Sequence, residues 1–323
     1  MSNIICKTLG IEKPIIQGPM AWSSFAPLVA AACNAGALGV LGIAAAPNDL
    51  VREQIQMTRK LTDKPFGVNV FMAPELVERV LPVLLEEKPA VVYADVLFDL
   101  PAELSKQFFT PLKEAGIKII VKASTVKDAI TAEQSGADLV VAKGWEGGGH
   151  VTPEATMTLL PQVVDAVSIP VIASGGIADG RGMAAAIALG ADGIEMGTAF
   201  LCSEECTIHE NAKNAILAQK DNESVLIMGS IKEPCRQIRN RFSDEVIALE
   251  NDHPVKEVEA QLREKFGPCL KIGMHDGDVV NGSVMSGAIA PIITKIRPAA
   301  DIIDTVIAEC KEIIAKSNSF SFN

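Results

Sequence analysis

Leu139-Val140-Val141-Ala142-Lys143-Gly144-Trp145-Glu146-Gly147-Gly148-Gly149-His150 joins an apolar run to a glycine-rich loop that closes on a histidine. The run has the uninterrupted apolar character of a strand buried on both faces. Three consecutive glycines contribute no packing and lose more backbone freedom on ordering than other residues. A loop built from them suits a place where another group approaches the backbone. Taken alone, the loop also fits a flexible turn carrying an exposed imidazole. About 25 residues on, the spacing of one helix and one strand, a second glycine motif closes a second run: Val171-Ile172-Ala173-Ser174-Gly175-Gly176-Ile177.

Working outward, the same unit recurs. Strands are expected at Pro14–Gly18, 38–43, Phe66–Phe71, Val91–Val96, Lys118–Ala123, Leu139–Lys143, Pro170–Ser174 and Gly193–Gly197. Alanine-rich helical stretches such as Leu28–Ala35, 126–135 and Gly182–Leu189 lie between them. Glycines in Ala35-Gly36, Ala115-Gly116, Gly136-Ala137 and Gly190-Ala191 sit where a left-handed cap turns a helix back toward the next strand. Eight such units of roughly 25 residues predict an α/β fold, a (β/α)8 TIM barrel. Residues 206–298 do not continue the pattern. They hold charged helical stretches (Asn211–Ala218, Val255–Phe266) and a glycine-rich return from Gly273 to Gly287. They are expected to form a helical lid inserted after strand 8, or a dimerisation segment. A last helix at about 299–318 is assigned with residues 1–205 to the barrel. A doubly wound sheet is the alternative; against it, no strand leads into a complete G-x-G-x-x-G fingerprint with its acidic partner.

Composition narrows the function classes. The chain has 323 residues, 48% of them hydrophobic, enough for a large core. Its net charge of -11 argues against binding nucleic acid or anionic membrane, which require a positive surface. Seven cysteines without a secretory leader are expected to be reduced thiols in the cytoplasm. With four histidines in the chain and no second cysteine pair, Cys202 and Cys206 are not expected to hold zinc.

In a TIM barrel the reacting groups sit at the C-terminal ends of the strands. Here those ends are Gln17-Gly18-Pro19-Met20-Ala21-Trp22, Gly67-Val68-Asn69, Lys122-Ala123-Ser124, the loop to His150, Ser174-Gly175-Gly176 and Met196-Gly197-Thr198. Glycine turns after the seventh and eighth strands expose backbone N–H groups as an anion nest, and barrels commonly bind a phosphate there. Close helix–strand packing is the alternative use of these glycines.

These motifs, together with Pro65-Phe66-Gly67-Val68-Asn69-Val70 and Gly277-Asp278-Val279-Val280-Asn281-Gly282-Ser283-Val284-Met285-Ser286-Gly287, resemble the nitronate monooxygenase family of FMN-dependent barrels. Within it they are most similar to the flavin-containing enoyl-acyl-carrier-protein reductase II branch. The resemblance implies that Gly18 and Met20 pack on the flavin ring, with Asn69 at its polar edge or the ribityl chain. It places Gly149, Ser174, Gly175, Gly176, Gly197 and Thr198 along the ribityl phosphate, and Met285 among the cofactor-binding residues. Lys122 would face the ring edge that gains negative charge on reduction, or pair with a neighbouring carboxylate. His150 is the implied catalytic residue, a base toward a carbon acid in the monooxygenases and, in the reductases, a residue that shapes the substrate and flavin pocket and assists proton transfer.

Three positions depart from the reductase pattern. Pro19 replaces a glycine, Tyr93-Ala94-Asp95-Val96-Leu97-Phe98-Asp99 replaces a small turn, and Ala288 replaces a glutamine. The implied activity is reduction of an enoyl thioester on acyl carrier protein in fatty-acid synthesis, with NADH or NADPH as reductant, FMN as cofactor, a monovalent cation as possible activator and a homodimer as assembly. The alternative is FMN-dependent oxidation of an alkyl nitronate by oxygen. Arg236, Arg239 and Arg241 form a basic cluster that pairs with nearby acids or meets a dinucleotide phosphate or an acidic carrier. His209, His253 and His275 are expected at the solvated surface.

Overall fold

A computed structural model of the chain describes residues 3–96 and 99–317. Its strands are β1 (Ile15–Gln17), β2 (Leu38–Leu41), β3 (Gly67–Phe71), β4 (Val91–Asp95), β5 (Lys118–Ala123), β6 (Leu139–Lys143), β7 (Gly149–His150), β8 (Val171–Ser174), β9 (Gly193–Met196), β10 (Ser224–Ile227) and β11 (Cys235–Ile238). Eight of them close a parallel barrel in the order β1-β2-β3-β4-β5-β6-β8-β9, and β9 returns to β1 through Ile15↔Ile194 and Gln17↔Met196. The expected (β/α)8 barrel is therefore present, each strand lying within a residue or two of its expected span. Among the described residues no helix is long and apolar enough to cross a membrane.

The return from helix to strand uses one repeated device. Gly136 and Gly190 adopt left-handed φ of 95° and 98° just past their helices. Two residues on, the Asp138 and Asp192 carboxylates accept hydrogen bonds from the N–H groups of Ile119 (2.8 Å) and Val171 (3.1 Å). A Gly-Ala-Asp triplet thus ends one helix and fixes the neighbouring strand's entry, satisfying backbone donors at the sheet rim.

The lower barrel interior is apolar. Ile16, Leu38, Val91, Ile120, Leu139 and Ile172 fill it, and Ile5, Leu9 and Ile11 pack onto the same core from the N-terminal end. The helix carrying Ile5 and Leu9, Ile4–Leu9, is capped by the Asn3 side chain and was not expected from the sequence. The C-terminal helix Ala299–Ser317 packs against helices Gly180–Ala188 and Ala26–Asn34 in the outer ring. The expected helix boundary at 318 lies outside the described residues.

Residues 206–298 are not purely helical. Helices Glu210–Leu217, Arg241–Asp252 and Val255–Leu270 are present, but β10 and β11 form an antiparallel hairpin. Its second strand pairs with β7 through Cys235↔His150 and Arg236↔Gly149. The glycine-rich loop after β6 is thereby a strand of a small three-stranded sheet. This sheet joins the segment to the barrel mouth and escaped the sequence reading because its two partners are four residues long or shorter and far apart in the chain.

Candidate active site

Strand periodicity sets the floor of the site. Alternate side chains of a strand turn inward, so positions two beyond the apolar inner layer make the next layer up. Above Tyr93, Ile120, Val141 and Ile172 stand Asp95, Lys122, Lys143 and Ser174, and Ser174 pairs in register with both Lys143 and Glu195. Lys122 and Asp95 form an ion pair. Lys143 Nζ donates to the Gly148 carbonyl at 2.9 Å, and Ser174 Oγ donates to Glu195 Oε1 at 2.8 Å. The buried Tyr93 hydroxyl lies beside the Glu195 carboxylate and helps hold its charge. Buried Lys122 and half-buried Lys143 thus share the floor with Asp95 and Glu195, and the Lys122–Asp95 pair offsets the cost of holding charge there.

The glycines fix what lies against this floor. A side chain at Gly18 would place its Cβ 2.9 Å from Glu195 Cδ, so a larger residue there would push the Glu195 carboxylate from its place. Gly175 and Gly176 take φ of 94° and 72°, a left-handed pair at the end of β8. The wall is held from outside. Thr156 donates its N–H and hydroxyl to Glu146 Oε2 at 2.9 and 2.8 Å, and the same hydroxyl contacts the Gly175 carbonyl. Thr198 Oγ1 accepts from Gly287 N–H at 2.9 Å, and Ala288 N–H donates to the Glu146 carbonyl at 2.9 Å. The segment beyond the barrel is therefore stitched to the strand ends by both main chain and side chains.

Together these surfaces line an open cleft of about 1020 Å³, the solvent at its mouth included. Gly18, Met20, Lys122, Gly149, His150, Ser174, Gly175, Gly176, Gly197, Thr198 and Met285 all line it, as do Pro19 and Asp95. Asn69 does not. It lies one inward step lower on β3, in register with Tyr93, and its amide donates to the Tyr93 carbonyl at 3.3 Å. Phe71 takes its place on the wall. Lys143 and Glu195 belong to the site and were missed, although the signal was the one that identified Lys122: a charged residue at the C-terminal end of an otherwise apolar strand. Of the departure after β4, Asp95 is Lys122's partner, while Leu97 and Phe98 lie outside the described residues.

His150 is half-buried on the wall. Its Nδ1 lies 3.2 Å from the Glu233 carbonyl, which only accepts, so Nδ1 carries the proton and Nε2 is the bare acceptor. Burial, reinforced by Lys122 and Lys143, pushes the imidazole down to about 4, leaving it neutral at pH 7. Burial and the neighbouring Lys122 charge likewise bring Lys143 down to about 8. Burial raises Glu195 above the usual carboxylate range.

The roof is apolar: Leu270, Met274, Met285 and Ile289 come from the segment after the barrel, and Met274 rides on a π-helical turn, Lys271–His275. Local π-helix is frequent at functional sites. The arginines do not form one patch. Arg236 is buried, 5.3 Å from the centre of the Trp145 ring, and donates to the Trp145 carbonyl and Ser224 hydroxyl. Arg239 and Arg241 pair with Asp244 and Glu245. His209, His253 and His275 are exposed, His209 capping its helix and His275 standing against Asp276 and Trp22.

The cavity suits the phosphorylated flavin implied by the sequence. Left-handed glycines at the end of β8 leave main chain open to a phosphate, and buried cations line the floor where a flavin's anionic edge would lie.

Comparison with known proteins places the chain. The nitronate monooxygenase family model matches residues 2–309. A probable nitronate monooxygenase of Staphylococcus aureus is 34% identical over 355 aligned positions, spanning 97% of this chain and 98% of that protein. The solved structure of FabK from Thermotoga maritima superposes with a TM-score of 0.93 at 36% identity, covering 99% and 100% of the two chains. A nitroalkane oxidase from Streptomyces ansochromogenes superposes at 0.82 with 29% identity, covering 95% and 98%. On this match of sequence and barrel, the chain belongs to the nitronate monooxygenase family, whose members are FMN-dependent oxidoreductases.

Proposed function

We propose that the protein reduces enoyl thioesters through FMN, with NADH or NADPH as the electron source. The observation that carries this reading is the two-faced cavity. Its roof of Leu270, Met274, Met285 and Ile289 suits an acyl chain, and its floor cations suit a thioester that gains negative charge during reaction. A small nitronate has no use for the roof. The likeness to FabK, an enoyl-acyl-carrier-protein reductase II, supports the reading through its TM-score of 0.93 against 0.82 for the nitroalkane oxidase.

In this reading Gly149, Gly175, Gly176, Gly197 and Thr198 hold the flavin phosphate and ribityl chain, Gly18 and Met20 support its ring, and Lys122 meets the ring edge. A flavin held there would supply the chemistry of hydride transfer between a nicotinamide and the enoyl β-carbon. Met285 and the rest of the roof exclude water, and neutral His150 offers Nε2 as an acceptor that orients the substrate. Acyl carrier protein bears the acyl group, and a homodimer and a cytoplasmic setting belong to the same proposal, as does activation by a monovalent cation.

The second reading, nitronate monooxygenation, draws on the curated relatives and on one feature of the floor. Lys122 and Lys143 make it attractive to a small anion, and His150 Nε2 stands as the base. Steady-state assays separate the two. Under nitrogen, with crotonyl thioester present, the reductase consumes NADH or NADPH in proportion to butyryl product. Oxygen uptake driven by ethyl nitronate, with no nicotinamide turnover, contradicts the proposal.

A further inference from the structure

If the enzyme is an enoyl reductase, each turnover needs a proton for the α-carbon as well as a hydride for the β-carbon. His150 is badly placed to supply it. Its single N–H is committed to the Glu233 carbonyl, and its other nitrogen is bare. Lys143 is the contrasting group. Its ammonium lines the same cavity and has three N–H bonds, of which one is directed to the Gly148 carbonyl. Its neighbours in register are Ser174 and then Glu195, joined by the Ser174-to-Glu195 hydrogen bond.

We propose that Lys143 is the catalytic proton donor to the α-carbon, held by its hydrogen bond to the Gly148 carbonyl. This rests on the enoyl-reductase reading. Hydride addition to the β-carbon breaks the carbon–carbon π bond and leaves the electron pair at the α-carbon and thioester oxygen. That pair forms the new α-C–H bond with a proton from Lys143 Nζ. The electrons of the broken N–H bond stay on the amine, which takes a proton from water before the next turnover. The charged and titratable groups facing Lys143 are Asp95 on β4, Lys122 on β5, His150 on β7, Glu195 on β9 and Cys235 on β11. Burial and Lys122 set the ammonium to lose its proton near pH 8, so it is charged yet ready to transfer at neutral pH.

The test uses flavin-loaded enzyme and follows the two half-reactions separately. Lys143→Met slows reoxidation of the reduced enzyme by crotonyl thioester on the order of a hundredfold. Reduction by NADPH, which protonates no carbon, slows far less. Lys143→Arg preserves the positive charge beneath Gly148, but its guanidinium holds its proton too tightly to give it up, so reoxidation stays slow. In the wild type the reoxidation rate falls above about pH 8, and neither variant shows that limb. Independently of turnover, the lysine resonance absent from both variants in NMR spectra of lysine-labelled protein titrates near the same pH.

If both variants reoxidise at the wild-type rate with the wild-type pH limb, or if His150→Ala alone abolishes α-carbon protonation, the assignment is overturned. A wild type that NADPH bleaches but no enoyl thioester reoxidises fails the functional reading itself, and the assignment with it.

Discussion

Two levels of one barrel interior follow opposite rules. In the lower layer Ile16, Leu38, Val91, Ile120, Leu139 and Ile172 exclude every charge and pack against Ile5 and Leu9. In the upper layer β4, β5, β6 and β9 turn Asp95, Lys122, Lys143 and Glu195 toward a common space. The difference shows how one set of strands separates stability from chemistry. Apolar burial below supplies the driving force that allows charge to be held above, where it costs desolvation. Lys122 and Asp95 pair there, while Lys143 and Glu195 hydrogen-bond to the Gly148 carbonyl and Ser174.

The comparison is broken most severely by removing one charge of the upper layer. Lys122→Met leaves Asp95 without its cation, and loss of one partner of a buried pair costs about 3–5 kcal/mol. Pairing it with Asp95→Asn recovers much of that loss. Urea unfolding of the two single variants and the double variant measures the coupling; equal losses in Lys122→Met and the double variant would show that the layer is not electrostatically closed. Leu139→Ala, in the lower layer, is expected to cost about 2–5 kcal/mol through lost burial and a cavity. Its effect on nicotinamide reduction of the flavin is expected to be small, so a stability loss matched by an equal catalytic loss would merge the two layers.

The next effect is smaller and depends on pH. The His150 imidazole is pushed from 6.5 down to about 4 in the folded chain, so between those values the unfolded chain binds more protons. Stability is therefore full above about pH 6.5 and falls as pH drops toward 4, by at most about 1.4 kcal/mol per unit. Thermal unfolding of wild type and His150→Phe across this window should differ in slope; parallel curves would mean that the imidazole is not held neutral. Least is expected of Arg239→Ala. Its exposed pair with Asp244 contributes less than about 1 kcal/mol, and flavin reduction should not change. A large catalytic loss there would point to a carrier or dinucleotide contact on that face.

The barrel was legible because its information is local and repeated. Each buried strand is an apolar run, and glycines such as Gly136 and Gly190 mark the helix ends with a conformation few other residues accept. Most of the cavity wall followed from the rule of strand ends, and His150 and Lys122 were found that way. Lys143 and Glu195 obeyed the same rule but sat inside strings read for their glycines. A strand end does not by itself say which inward layer a residue occupies, and the register of Asn69 with Tyr93 sets it one step below the cavity lining. The β10–β11 hairpin was hidden for another reason. Its pairing with Gly149 and His150 joins short segments more than eighty residues apart, and its energy lies in main-chain bonds and in the Arg236–Trp145 contact rather than in any sequence period.

The most direct measurement is anaerobic stopped-flow at flavin wavelengths, mixing the purified protein in turn with NADH, NADPH and ethyl nitronate. Rapid bleaching by a nicotinamide, reversed when crotonyl thioester is added, is the result expected of an enoyl reductase built on this charged floor and apolar roof. Bleaching by the nitronate alone, with no response to either nicotinamide, would contradict it.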